Sequence, residues 1–358
     1  MQSHARVVVV GGGCVGANIL YSLAHRGWTD VCLLERTELT AGSTWHAAGL
    51  IPVYSFSYKF GRLIQKTIDL YEGLEAETGQ SIGWHKCGQL RIAESADRMD
   101  EYLNYASIAQ TQGIHAEILT PEQTVDLWPL MQRSPQLLGA VYNRDDGHIA
   151  PADVTQALAK GAKQLGAKIY LNTQVNSIDA LPSGEWRVSS NQGDIVCEHV
   201  VTATGNYVQQ TAHMLGLDLP CFPILHQYWV TETVPEVRAR KDQGLPEMPV
   251  LRNEAINGYV REERDGLMFG PYERPGKLEH FAPMVYRNGS APICCLKTWK
   301  QSKTTGPPHS TWCPCWAKSE SRLTCAVRSA PHPITCRCAG PPGVNTTCGW
   351  LKALPADG

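Results

Sequence analysis

The stretch from Val7 to Leu50, VVVVGGGCVGANILYSLAHRGWTDVCLLERTELTAGSTWHAAGL, constrains this chain more than any other. Four consecutive valines, Val7 to Val10, suit a strand buried on both faces. Gly11, Gly13 and Gly16 follow in the spacing G-x-G-x-x-G. The pattern predicts a helix from about Gly13 to His25 and a second strand from Val31 to Leu34, closed by Glu35. In a βαβ unit of this kind the first glycine turns the chain, the second lets backbone approach a pyrophosphate, and the third lets helix and strand pack closely. Cys14, Val15 and Gly16 open the helix, where unpaired N–H groups and the positive dipole end face an anion. The carboxylate of Glu35 can accept hydrogen bonds from a ribose, and Arg36 stands beside it. Flanked in this way, the glycines read as a dinucleotide site rather than a glycine-rich turn of some other α/β protein.

Met1 to Ala24 has the basic start and apolar run of a secretory signal, but three consecutive glycines break its apolar part and the unit continues into a second strand. No stretch is apolar for long enough to cross a bilayer. The net charge of -2 gives no case for nucleic acid. The expectation is a cytoplasmic protein with neither a nucleic-acid nor a membrane partner.

The loop after Glu35 indicates which dinucleotide. Gly42 to Leu50, GSTWHAAGL, is small and polar around Trp45 and His46. An NAD site has no need of such a loop directly after the second strand. With the glycine unit before it, the loop resembles that of the dimethylglycine and sarcosine dehydrogenase family of FAD-dependent oxidoreductases, which have a D-amino-acid-oxidase-like fold. The resemblance runs from about Arg6 to Pro283. It implies that Gly42, Ser43, Thr44, Trp45, His46, Ala47, Ala48, Gly49 and Leu50 contact FAD. It also implies that His46 is bonded covalently to the flavin; the alternative is that His46 only packs against it. Such a bond needs a neutral imidazole, which histidine supplies near pH 7.

The resemblance further implies an α/β fold, with a Rossmann-type FAD-binding domain interleaved with an antiparallel-sheet substrate domain. The cofactor part would span about 1–82 and 145–219, the substrate part about 83–144 and 220–283. Periodicity predicts helices after Ile51, over Ser95 to Gln112, from Thr120 and over Ala152 to Leu165. Trp186–Ser189 and Ile195–Glu198 read as a hairpin around Asn191-Gln192-Gly193, followed by a separate run, His199 to Gly205. In this fold class the strand start at Val175 lies over the adenine, and Gly205 is a second glycine turn near the pyrophosphate. His85 and Cys87 are close in sequence but lack further ligands, so no metal is expected.

The segment PCFPILHQYWVTET, Pro220 to Thr233, resembles the family's substrate region and makes His226 and Tyr228 the catalytic candidates. The implied reaction is oxidation of an N-methylated glycine-type amine by hydride transfer to the flavin. Electrons would then pass to an electron-transfer flavoprotein or to oxygen. Two other readings stay open: an amino-acid or amine oxidase of the same fold, and a truncated, inactive flavoprotein.

After Pro283 the character changes. Residues 285–358 carry eight cysteines, nine prolines and two acids against nine lysines and arginines, with no hydrophobic period. The C-X-C pairs there lack the C-x₂-C spacing of structural zinc sites. The expectation is an irregular, aberrant and disordered tail over 284–358, of the kind a frame-shifted reading produces.

Overall fold

The computed structural model describes residues 1–221, 223–253, 257–272 and 277–278; the expected tail over 284–358 lies outside the described residues. The first half runs β1 (His4–Val10), α1 (Cys14–His25), β2 (Val31–Leu34), β3 (Leu50–Ile51), α2 (Tyr58–Thr78), β4 (Gln89–Ala93), α3 (Ala96–Thr111), β5 (Glu117–Leu119) and α4 (Pro121–Leu127). It continues through β6 (Gly139–Asn143), β7 (Gly147–His148), α5 (Pro151–Gln164), β8 (Lys168–Tyr170), β9 (Val175–Ala180), β10 (Trp186–Ser190) and β11 (Gly193–Thr202). Last come α6 (Val208–Met214), β12 (Ile224–Leu225), β13 (Trp229–Val230), α7 (Pro235–Asp242), β14 (Val250–Asn253), β15 (Gly258–Glu263), β16 (Gly266–Pro271) and β17 (Lys277–Leu278).

Two large sheets organise these elements. The first has the order β8-β2-β1-β11-β10-β9, and β8, β2, β1 and β11 are mutually parallel. That is the arrangement of a dinucleotide-binding sheet, with β1 central. Its valines are buried on both faces. Val7 and Val9 pack with Leu20, Tyr21 and Leu158 from α1 and α5. Val8 and Val10 pack with Cys32, Leu34, Val188 and Ile195. Strand β11 is a single strand of ten residues. Its start pairs antiparallel with β10 and its length pairs parallel with β1, so the hairpin and the following HVVT run are one element rather than two.

The second sheet has the order β13-β16-β15-β14-β4-β6-β5. It is antiparallel apart from one parallel pair, β14 with β4, because the chain returns to β4 from a distant segment. Leu90, Ile92, Leu251, Val260 and Phe269 form its apolar face, around the buried Trp128. The period-two alternation therefore sends Gln89, Arg91, Arg252 and Tyr259 to the opposite face. A short β3–β7 pair links the segment after the histidine loop to the start of α5, with Leu50 opposite His148.

Helix ends follow local chemistry. Ser57, Ser95 and Thr120 cap α2, α3 and α4 through their side chains, and Thr120 forms a reciprocal capping box with Gln123. Helix α1 differs: Gly13 caps it without any side-chain hydrogen bond. Among the described residues no helix is long and apolar enough to cross a membrane.

Candidate functional site: a dinucleotide cradle and a cationic sheet face

The N-terminus of α1 is built to hold an anion. Gly13 gives it no side-chain cap, the Thr44 hydroxyl takes the Cys14 N–H, and a Cβ on Gly13 would meet only that hydroxyl, at 3.1 Å. Gly11 has φ +113°, and a Cβ there would fall 2.4 Å from the Ala203 carbonyl oxygen. Gly16 has no room either: its Cβ would lie 1.9 Å from the Gly11 oxygen. Gly11 and Gly16 thus let the end of β1, the start of α1 and Ala203, just past β11, meet backbone to backbone.

Glu35 ends β2 with its carboxylate fixed by backbone. The Gly12 N–H donates to Oε2 at 2.7 Å and the Thr37 N–H to Oε1 at 2.9 Å. A carboxylate held this way retains acceptor sites for a ribose diol. The Thr173 N–H donates to the Glu35 carbonyl, which sets Val175, the first residue of β9, two positions beyond that contact. Gly205 adopts φ +56° at the head of a 3₁₀ turn, Gly205–Tyr207. That turn meets the second-strand region: the Arg36 guanidinium lies 3.9 Å over the Tyr207 ring, and the Ser43 hydroxyl donates to Asn206 at 3.1 Å. Asn206 and Tyr207 were not read from the sequence, although they directly follow the A-T-G run.

The loop Gly42–Gly49 is a series of turns folded back over the α1 N-terminus. The Cys14 N–H donates to the Thr44 hydroxyl at 3.1 Å. Trp45 and His46 lie ring to ring at 3.8 Å between centroids. His46 Nδ1 is 2.8 Å from the Gly42 carbonyl oxygen, and burial pushes the imidazole pKa down to about 4. A carbonyl only accepts, so Nδ1 carries the proton and Nε2 keeps its lone pair. Ala47 and Ala48 complete the loop, Gly49 takes φ +74° where a Cβ would meet the Ile149 oxygen at 2.0 Å, and Leu50 enters β3. These residues fit FAD: an open helix N-terminus for phosphates, a strand-end acid for a ribose, and a neutral imidazole on an adjoining loop.

The second sheet contributes a cationic face. Arg91, Arg252, Tyr259 and Gly270 form one transverse row across β4, β14, β15 and β16. The Tyr259 ring occupies the space over Gly270, where a Cβ would lie 2.2 Å from the ring. The Arg252 guanidinium donates to the Tyr272 hydroxyl and lies over its ring. His226 meets the Tyr272 ring edge-on at 5.6 Å, and Tyr228 is near enough to Tyr259 to raise its pKa, after the larger effect of burial. The two sequence candidates thus converge on Arg252, Tyr259 and Tyr272. Those three were not singled out from the sequence, although R-N and Y-V-R alternation within short strands was a usable signal. Below the row Asp146 is fully buried; its Oδ1 accepts from the Val53 N–H at 3.0 Å. Burial raises its pKa well above the usual carboxylate value, while Arg91 and Arg252 oppose that shift.

Residues 6–294 match the profile of the FAD dependent oxidoreductase family. The chain is 41% identical over 284 residues to mitochondrial dimethylglycine dehydrogenase of Rattus norvegicus, covering 79% of this chain and 33% of that protein. It is 34% identical to human mitochondrial sarcosine dehydrogenase, over 76% of this chain and 29% of that one. It is also 34% identical to 4-methylaminobutanoate oxidase (formaldehyde-forming) of Paenarthrobacter nicotinovorans, over 79% and 36%. The chain therefore spans about a third of the length of the curated relatives it matches. In fold it is similar to L-proline dehydrogenase from P. horikoshii (TM-score 0.68, 25% identity, 75% of this chain and 70% of that one). Glycine oxidase from Geobacillus kaustophilus shares the fold as well, with a TM-score of 0.65 at 23% identity over 78% of this chain and 73% of that one. Sequence profile, sheet order and glycine cradle agree, and the chain belongs to the FAD-dependent oxidoreductase family.

Proposed function

We propose that this chain is the flavin-binding and substrate-binding part of an enzyme that oxidises an N-methylated glycine-type amine, dimethylglycine or sarcosine, with FAD attached through His46. The observation that carries the reading is the state of that imidazole. It is half-buried, neutral, and protonated on Nδ1, so Nε2 is the nucleophilic nitrogen. FAD bound in the cradle would supply the two-electron acceptor for a C–H bond next to the amine nitrogen. The names of the three curated relatives share an N-methylated amine carried on a carboxylic acid.

Two chemical demands fall on the protein. The substrate carboxylate needs a partner, and Arg252 presents a guanidinium backed by Tyr272 on the cationic row. The amine must be neutral to give up a hydride. A face carrying Arg91 and Arg252 disfavours an ammonium and so favours the free amine. Tyr228, Tyr259 and His226 orient the substrate from the same side. The electron acceptor is an electron-transfer flavoprotein or oxygen, which peroxide formation under air distinguishes.

The full chain, purified with its flavin and then denatured in acid or urea, should keep the yellow chromophore on the polypeptide. His46→Ala should release it to the filtrate. Because Nε2 stays unprotonated, attachment of added FAD to the apoprotein should not change from pH 8 down to about pH 5. Flavin that washes off the denatured parent chain sinks the covalent reading.

Arg252→Met should leave the flavin spectrum unchanged while kcat/KM for dimethylglycine falls about a thousandfold, ~4 kcal/mol, as expected when the half-buried charged partner of a carboxylate is removed. Steady-state turnover on dimethylglycine, sarcosine and glycine measures this. A loss of the same size for an amine without a carboxylate would show that Arg252 does not bind that group.

A further inference from the structure

Away from the cradle, three segments far apart in sequence bring two histidines and a glutamate together. His85 precedes β4, His148 lies in β7, and Glu247 precedes β14. The Glu247 carboxylate spans both imidazoles: Oε2 is 2.8 Å from His85 Nδ1 and Oε1 is 2.6 Å from His148 Nε2. The rings stack at 4.6 Å with only 12° between their planes. One ligand atom from each residue lies within 4.8 Å of the other two.

The backbone holds this arrangement. The His85 N–H donates to the His148 carbonyl at 2.9 Å, and the His148 N–H donates back at 3.1 Å. Gly147 is required at that bridge, since a Cβ there would sit 2.0 Å from the His85 oxygen. Exposure is graded: the side chain of His148 is 8% exposed, that of Glu247 23% and that of His85 53%. One donor is buried, one is intermediate and one faces solvent, which leaves an entry path. The group borders a cavity of about 450 Å³ whose wall also carries Cys87 and Tyr142.

From these positions we propose that His85, His148 and Glu247 form a site for a divalent cation of the zinc class, clamping β7 to the second sheet. Two imidazoles and one carboxylate are a donor set that zinc, cobalt and nickel accept and that magnesium and calcium do not favour. A tetrahedral zinc with bonds of about 2.0–2.1 Å sets its ligands roughly 3.3 Å apart, so the two rings, now nearly parallel, turn on their side-chain bonds to bring both lone pairs to one cation. On binding, the cation takes the place of the two hydrogen bonds that now join Glu247 to the rings. Neighbouring cations are turned elsewhere: Lys86 pairs with Glu72 and Asp145, each at 2.9 Å, and Arg261 pairs with Glu263 at 2.9 Å. Arg240, on the cavity wall, donates to the Pro246 carbonyl at 3.0 Å. The site stands independently of how the flavin is held.

The test uses the full chain, stripped with EDTA and dialysed against zinc chloride, with magnesium chloride as control. Bound metal is measured by mass spectrometry, alongside the thermal midpoint. The parent should retain one equivalent of zinc more than either His85→Ala or Glu247→Gln, with affinity lowered at least about a hundredfold in each variant. Zinc, but not magnesium, should raise the midpoint of the parent and not of the variants. His85 is exposed and Glu247→Gln keeps its volume, so both variants should fold, which circular dichroism checks. Equal zinc in parent and variants would assign the metal to cysteines elsewhere and overturn the proposal. Absence of a zinc-dependent midpoint shift in the parent would overturn it too. Cobalt substitution adds a spectroscopic reading: d–d bands of a nitrogen–oxygen site support the assignment, and a dominant thiolate-to-cobalt band opposes it.

Discussion

Gly16→Ala should yield a chain that still forms its second sheet but no longer retains flavin. The Cβ added at Gly16 would lie 1.9 Å from the Gly11 carbonyl oxygen and 3.4 Å from the Ala203 side chain. The first obstacle is backbone, at the turn that leads out of β1, and it cannot rotate away. Helix α1 must therefore move off the sheet, taking its N-terminal end at Cys14 with it. Overpacking of a close contact costs about 1–3 kcal/mol, which is roughly tenfold to more than a hundredfold in FAD affinity if the shift falls on the cradle. Flavin content per chain after gel filtration, and the dissociation constant of the reconstituted apoprotein, give the answer. Gly27→Ala is the control for backbone strain away from the cradle, because a Cβ there meets nothing within 4 Å and only its φ of +80° is costly, by about 1–2 kcal/mol. Equal flavin content in Gly16→Ala and Gly27→Ala would refute the cradle.

Trp128→Ala should be the most destabilising single truncation in the second sheet. Trp128 is 1% exposed at the end of α4, and its Nε1–H donates to the Pro249 carbonyl at 2.9 Å. The ring fills the apolar side of the sheet whose other side carries the Arg252 row. Removing a buried tryptophan costs about 3–5 kcal/mol, partly as lost transfer energy and partly as a cavity. A fall in thermal midpoint of roughly 10 °C follows for a chain of this size. Trp128→Phe should fall between parent and alanine variant. It keeps most of the volume but leaves the Pro249 carbonyl without its donor, at about 1–3 kcal/mol. A midpoint unchanged in the alanine variant would mean that the side chain is not packed as described.

How much was legible beforehand differed from element to element. Helix α1 and β2 came out within a residue of expectation, and β1 ends at Val10 as expected but starts three residues earlier, at His4, because four-valine runs and apolar periodicity report burial directly. The helix start at Thr120 was equally clear, since capping boxes are local chemistry. The split of residues 195–205 at Glu198 was wrong: β11 is continuous, because β10 pairs with it from Gly193 to Cys197 and β1 takes over from Val196 to Thr202. Helix α7 and the β3–β7 pair were not anticipated. Helix α7 is mostly charged and shows little apolar face, and two-residue strands exist only through their partners.

The candidate site divides in the same way. Cradle residues within one continuous stretch, from Gly11 to Leu50, could be read along the chain because turn geometry and helix N-termini are properties of neighbours in sequence. Arg252, Tyr259 and Tyr272 could not be assigned that way. Their meaning comes from strand register, which aligns Arg91, Arg252 and Tyr259 across segments more than 160 residues apart.

The amino-acid order alone therefore determined the glycine-rich βαβ unit, the loop that carries His46 beside it and the alternation of the strands, since each depends on spacing over a few residues. Which side chains meet was decided only in three dimensions. His85 looked solitary beside Cys87 until sheet pairing brought His148 to it and the return of the chain before β14 brought Glu247. Long-range register carries that information, and it is set by the packing of whole sheets rather than by any local run of residues.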